Sequence, residues 1–101
     1  MHRATTFSVN GNGSDFKQLS ANGVRGETAF VRIYAAAAVN IILDAVDAAD
    51  AATKNGSLTD LFIFGGGTAG AISTIGSVNP ARCWIRANGA SATTVSLLVG
   101  N

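Results

Sequence analysis

The chain is poor in charge, in proline and in cysteine. Only 13% of its 101 residues are Asp, Glu, Lys or Arg, against about 25% in an ordinary soluble domain. A chain of this length makes one domain and buries roughly 60–70% of its extended surface on folding. Few charges on such a domain mean a large uncharged exterior. Either neighbouring subunits cover part of it, or it is a surface of Ser, Thr, Asn, Gly and Ala. The single cysteine, Cys83, excludes an internal disulfide. The single histidine, His2, lies beside a terminus, where chains fray, so nucleophilic catalysis has no evident base. The net charge of +1 gives no global attraction to nucleic acid or to an anionic membrane.

Membrane signals are weak too. Met1-His2-Arg3 runs into Thr and Ser without an apolar stretch, so no secretory signal is expected. Leu61 to Ala81 is uncharged and long enough to span a bilayer, but its glycines and Pro80 make a poor membrane helix. The charges that exist are uneven. Asp44, Asp47, Asp50 and Asp60 face Lys54 alone, and after Asp60 only Arg82 and Arg86 are charged. An acidic middle and a basic end either attract between neighbouring copies or are solvated loops.

What is present is β patterning. Thr5 to Val9, Thr28 to Tyr34, Val39 to Leu43, Leu58 to Phe64, Ala71 to Ile75, Arg82 to Ala87 and Thr93 to Val99 are rich in β-branched and aromatic residues. Phe16 and Leu19 fit a short extended piece. Asn10 to Asp15, Asn22-Gly23, Gly65-Gly66-Gly67, Asn79-Pro80 and Asn88-Gly89-Ala90 read as turns, the last with a hairpin signal. The Ala35–Ala38 run turns the chain between two strands. Residues 44–56 fit a short helix near 45–54 or an ordered loop: Asp44 and Asp47 resemble an N-cap pair, and Lys54-Asn55-Gly56 a C-terminus. The fold class expected is all-β, a small antiparallel sandwich or barrel of about seven short strands. It occupies residues 1–101 as one domain, with an N-terminal arm over residues 1–26 that could be extended. Alternation places Phe7, Val9, Val31, Ile33, Ile41, Leu43, Leu61, Ile63, Ile72, Ile85, Val95, Leu97 and Val99 inward.

Candidate chemistry is sparse. Gly65 to Gly70 matches G-x-G-x-x-G after a strand, but the residues that follow read as strand rather than helix. No acidic residue follows to hold a ribose, so a hairpin loop is the better reading. Asp44, Asp47 and Asp50 lack the spacing of a calcium loop and read as a solvated acidic edge. Cys83 reads as a buried small hydrophobe. Two strand faces combine aromatics with arginine: Phe30-Arg32-Tyr34 looks outward opposite Val31 and Ile33, and Arg82-Trp84-Arg86 shares one face. For the second, Trp84 covering the core ranks first, an interface second and single-stranded nucleic acid third.

The order Phe30-Val31-Arg32-Ile33-Tyr34, Val39-Asn40-Ile41, an Ala-rich stretch, Leu61-Phe62-Ile63-Phe64-Gly65-Gly66-Gly67, Ala71-Ile72-Ser73 and Thr93-Thr94-Val95-Ser96-Leu97-Leu98-Val99 resembles small β-sandwich structural proteins of tailed bacteriophages. That resemblance implies a capsid decoration or cement protein of the virion, assembled in the host cytoplasm. It would bind the major capsid protein, other virion proteins and its own copies as a homo-oligomer. No catalytic residue, metal or cofactor comes with it. The interface residues expected are Phe30, Arg32, Tyr34, Arg82, Trp84 and Arg86, with neither membrane nor nucleic acid as partner. The other reading is a small sandwich that binds carbohydrate or single-stranded nucleic acid through Tyr34, Trp84 and the nearby arginines.

Overall fold

The computed structural model describes residues 3–11, 16–65, 72–89 and 91–100. These residues form a small all-β sandwich of two antiparallel sheets with one helix. The strands are β1 (Arg3–Val9), β2 (Lys17–Gln18), β3 (Ala29–Ala35), β4 (Val39–Ile42), β5 (Leu61–Phe64), β6 (Ser73–Val78), β7 (Trp84–Ala87) and β8 (Thr93–Gly100). A 3-10 turn covers Ser20–Asn22, and helix α1 covers Ala48–Ser57. Sheet I has the order β1-β8-β3-β6, and sheet II the order β2-β7-β4-β5.

The main core lies between the sheets. Val9, Val31, Ile33, Val95, Leu97 and Val99 come from sheet I, and Val39, Ile41, Phe64 and Ile85 from sheet II, all buried. Phe7 and Leu43 pack on it from the margin. Residues 1–26 do not form an extended arm where they are described: Arg3–Val9 pairs along the whole of β8, and Phe16, Leu19 and Val24 are buried.

Sheet II carries large apolar side chains on its second face as well. Ile42 and Trp84 are cross-strand partners, and with Phe16, Ala45 and Ala51 they form a second cluster beneath α1. Of the 44–56 segment, residues 48–56 are helix, and 44–47 lead into it. Its cap pair lies three residues later than the spacing indicated: the Asp47 carboxylate accepts from the Asp50 N–H at 2.8 Å, and the Asp50 carboxylate accepts from the Val46 N–H at 3.0 Å. Alanine buries little area, so hydrogen bonds help to hold the helix layer down. The Trp84 indole donates to the Ala45 carbonyl at 2.9 Å. Asn40, only 5% exposed, donates to Asn55 Oδ1 at 2.8 Å and accepts from Asn88 Nδ2 at 2.6 Å. A buried amide satisfied on both sides carries little desolvation cost.

Two of the residues placed inward face solvent instead. Ile72 is 55% exposed because β6 carries an extra residue. Val31 pairs Gly76 and Arg32 pairs Thr74, leaving Ile75 as the bulge, with Gly76 at φ 107°. The bulge reverses the strand's parity, turns Ile75 onto the core and turns Ile72 out. Ile63 is 52% exposed because the partners of β5 are Val39 opposite Phe64 and Ile41 opposite Phe62, which sends the phenylalanines to the main core. Leu61 packs on the helix cluster rather than the main core.

The turn at Asn79-Pro80 is present: Asn79 accepts from the Arg82 N–H at 2.9 Å and, through its side chain, from the Ala81 N–H at 3.0 Å. The hairpin at Asn88-Gly89 is not. Strand β7 belongs to sheet II and β8 to sheet I, so this connection crosses the sandwich. Leu58 to Asp60 is not strand either. Leu58 ends α1 in the left-handed conformation, φ 58°, and its side chain is 75% exposed.

A leucine held in that conformation costs about 1–2 kcal/mol relative to glycine. Part of this returns through the greater freedom of glycine in the unfolded chain. Leu58→Gly should therefore raise the melting temperature by a few degrees, as thermal denaturation followed by circular dichroism will show. Trp84→Ala opens the second core and removes the indole bond. It should cost about 3–5 kcal/mol, and a urea midpoint unchanged from wild type would contradict the role assigned to Trp84.

Candidate functional site

The outer face of sheet I has no layer over it among the described residues, unlike the corresponding face of sheet II. Strict alternation along β3 sends Ala29, Val31, Ile33 and Ala35 inward and Phe30, Arg32 and Tyr34 outward. The antiparallel register then builds rows across the sheet. Ala4, Leu98, Arg32 and Thr74 form one, and Thr6, Ser96 and Tyr34 the next. Gly100, Phe30 and Ser77 lie to one side, and Ser8 and Thr94 to the other.

The face is short of charge. Arg32 is its one charged residue among those described, and no ion pair to it is formed by them. Phe30 is 46% exposed, and Tyr34, Leu98 and Arg32 are half-buried. Tyr34 stands between two depressions. One, of about 200 Å³, is almost wholly apolar and runs past Ala4, Arg32, Ile72 and Leu98. The other, of about 380 Å³, is bordered by Ser8, Thr93, Thr94 and Ser96 together with Ala36 and Ala92. Thr6 and Ser96 share a hydrogen bond of 3.2 Å, which fixes one of these side chains.

The structure separates the two aromatic–arginine groups. Phe30, Arg32 and Tyr34 share the outer face of sheet I. Arg82, Trp84 and Arg86 lie on the far side of sheet II, beside the helix layer. Trp84, at 9% exposure, is a core residue and offers little surface for contact. Arg86 lies over the Phe16 ring, 5.4 Å from its centroid, a cation–π contact within the molecule. Arg82 precedes β7 rather than belonging to it, and its guanidinium bonds the Asp44 carboxylate. That bond holds the Asp44 carboxyl below its usual range and raises Arg82. Alternation along β8 already implied that Thr94, Ser96 and Leu98 join the open face. Nothing in the sequence marked Leu58 and Val46, which are 75% and 63% exposed at the two ends of α1.

Several charged groups are engaged within the molecule. Asp47 and Asp50 cap the helix, and Lys54 lies 3.8 Å from Asp50 and 3.5 Å from Asp60. No cluster of three His, Cys, Asp or Glu side chains able to hold a metal ion occurs among the described residues. His2 and the glycine motif beyond Gly65 lie outside the described residues. Where the chain resumes after that motif it enters strand β6, whereas a dinucleotide fingerprint opens a helix. No helix among the described residues is long and apolar enough to cross a membrane. The class defined by this architecture is a small all-β sandwich with one sheet face capped by a helix and the other open. Comparison with protein-family models, curated proteins and solved structures finds no match.

Burial pushes the Cys83 thiol up to about 12. The thiolate is the reactive form. Cys83 should therefore resist an aromatic disulfide reagent at pH 8 in the folded protein and react fully in denaturant, read by absorbance. Stoichiometric labelling of the folded chain within minutes would overturn this placement.

Proposed function

We propose that this chain is a non-enzymatic structural protein of a virion, a capsid decoration or cement module that binds the major capsid protein and its own copies. The observation that carries the reading is the open face of sheet I. It presents Phe30, Tyr34, Leu98 and Ile72 around a single charged residue, Arg32, on a molecule that closes the corresponding face of its other sheet. Tyr, Phe and Arg are enriched at protein contacts, where charge is depleted. The low overall charge and the resemblance to small phage sandwiches agree with this use.

The larger depression beside Tyr34 favours a second reading, a module that stacks a sugar on Tyr34 and bonds it through Ser8, Thr94 and Ser96. Particles of a phage that encodes this chain, purified on a density gradient, should contain it in many copies by mass spectrometry. Its absence from such particles, with retention of the pure chain on a glycan resin, would favour the second reading and sink the first.

The double variant Phe30→Ser/Tyr34→Ser changes only this face. Truncating a central contact residue costs about 2 kcal/mol or more of binding. The variant should melt within a few degrees of wild type and lose at least about tenfold in particle incorporation. Equal incorporation would remove sheet I from the contact.

A further inference from the structure

We infer that the open face of sheet I receives the helix layer of a second copy of this chain, in a head-to-tail contact that repeats. The inference deepens the assembly reading above and rests on it. Three features of the molecule lead to it.

The first is charge. Sheet I presents Arg32 on its outer face, and Arg3 and Arg25 flank a cleft of about 220 Å³ at its β1 edge. The helix side carries Asp44, Asp47, Asp50 and Asp60 against Lys54, Arg82 and Arg86, so acidic groups outnumber basic ones there by one. The two surfaces lie on opposite sides of the sandwich, one beyond sheet I and the other beyond sheet II. Packing sheet I of one copy on sheet I of another would set Arg32 near Arg32 with no acid facing either. Packing sheet I on the helix layer sets Arg32 toward carboxylates.

The second is apolar exposure on both surfaces. Phe30 and Ile72 stand out from sheet I, and Val46 and Leu58 from the ends of the helix. Leu58 is the more telling. It holds a left-handed conformation that suits glycine, and it is 75% exposed, so a large apolar side chain is kept at a strained position with little contact inside the molecule. Strain retained without local return points to use elsewhere.

The third is size. Four strands at a spacing of about 4.8 Å, along seven residues at about 3.3 Å each, make a face of about 19 by 23 Å. Two surfaces of that footprint cover about 870 Å² in total, just under the extent of a stable specific contact and in the range of a weak one. Such a contact is reversible and concentration-dependent in solution, and it is strengthened where copies are held side by side. Because it is heterologous, it closes into a ring or extends as a row according to the rotation between copies.

The test uses two variants of the whole chain. Arg32→Glu spoils the sheet surface and leaves the helix layer. Leu58→Gly spoils the helix layer and relieves its strain, so a folding defect cannot explain lost association. Sedimentation velocity at increasing concentration should show wild type forming species beyond the dimer that weaken in high salt. Each variant alone should be shifted at least tenfold toward monomer. Mixed, the two variants retain one good surface each and should form a one-to-one heterodimer that grows no further.

Wild-type association that Leu58→Gly leaves unchanged would overturn the inference in favour of a twofold contact between sheet faces. A wild-type chain that stays monomeric at millimolar concentration overturns it as well. If that monomer is still found in purified particles, the virion reading survives on capsid contacts alone. Head-to-tail oligomers from a chain absent from particles leave the contact standing and remove the virion reading.

Discussion

Sheet II carries large apolar side chains on both faces, and the molecule is organised around covering those on the second. Its first face meets sheet I in the main core. Its second face presents Ile42 and Trp84 side by side, which water would penalise. The chain answers with α1, a helix whose inward residues, Ala48, Ala51 and Ala52, allow close approach but bury little area. Trp84 and Phe16 supply the bulk that the alanines lack, while the Trp84 indole and Asn40 supply the specific bonds. Large residues on the sheet and small ones on the helix are complementary parts of one solution.

Closing one side leaves the two sides of the sandwich unlike. The helix side has one more acidic group than basic and carries Val46 and Leu58 at the ends of α1. The sheet I side carries hydroxyls, aromatic rings and Arg32. Leu58 stands 75% exposed in a left-handed turn, and Phe30 stands 46% exposed on its sheet. Both make sense where surfaces meet. Inside the molecule, the buried Asn40 amide is hydrogen-bonded on both sides, and Cys83 is a buried thiol.

The connections explain why local turn signals misled. Strand β3 lies in sheet I and β4 in sheet II, β5 in II and β6 in I, β7 in II and β8 in I. Strands β4 and β5 do pair, but only across the whole of α1. Asn88-Gly89 has the chemistry of a tight reversal and serves a crossover. A turn dipeptide reports that the chain changes direction, and it carries no information about which sheet the next strand joins. That choice depends on pairings distant in sequence, such as β1 with β8.

Much of the fold was legible all the same. The alternation of β3 was correct residue by residue, since its two faces differ sharply in polarity. The same holds for Val95, Leu97 and Val99 in β8 and for the turn at Asn79-Pro80. Alternation failed where it had no contrast to work on. Leu61-Phe62-Ile63-Phe64 is apolar throughout, so only the partner strand decides which residues go in. In β6 a bulge at Ile75 and Gly76 reversed the parity, and Ile72 went out. Of the six residues proposed for the site, Phe30, Arg32 and Tyr34 were placed by their own strand. Trp84 and Arg86 depended on whether residues 44–56 would become helix and lie over them. By itself the sequence determined the class of the fold, the approximate place of most strands and the outward set on β3, because period-two polarity is a local property. The partner of each strand, the covered face of sheet II and the open face of sheet I were decided only by tertiary structure. Those are questions of what packs against what, and both surfaces of each contact must exist before either is selected.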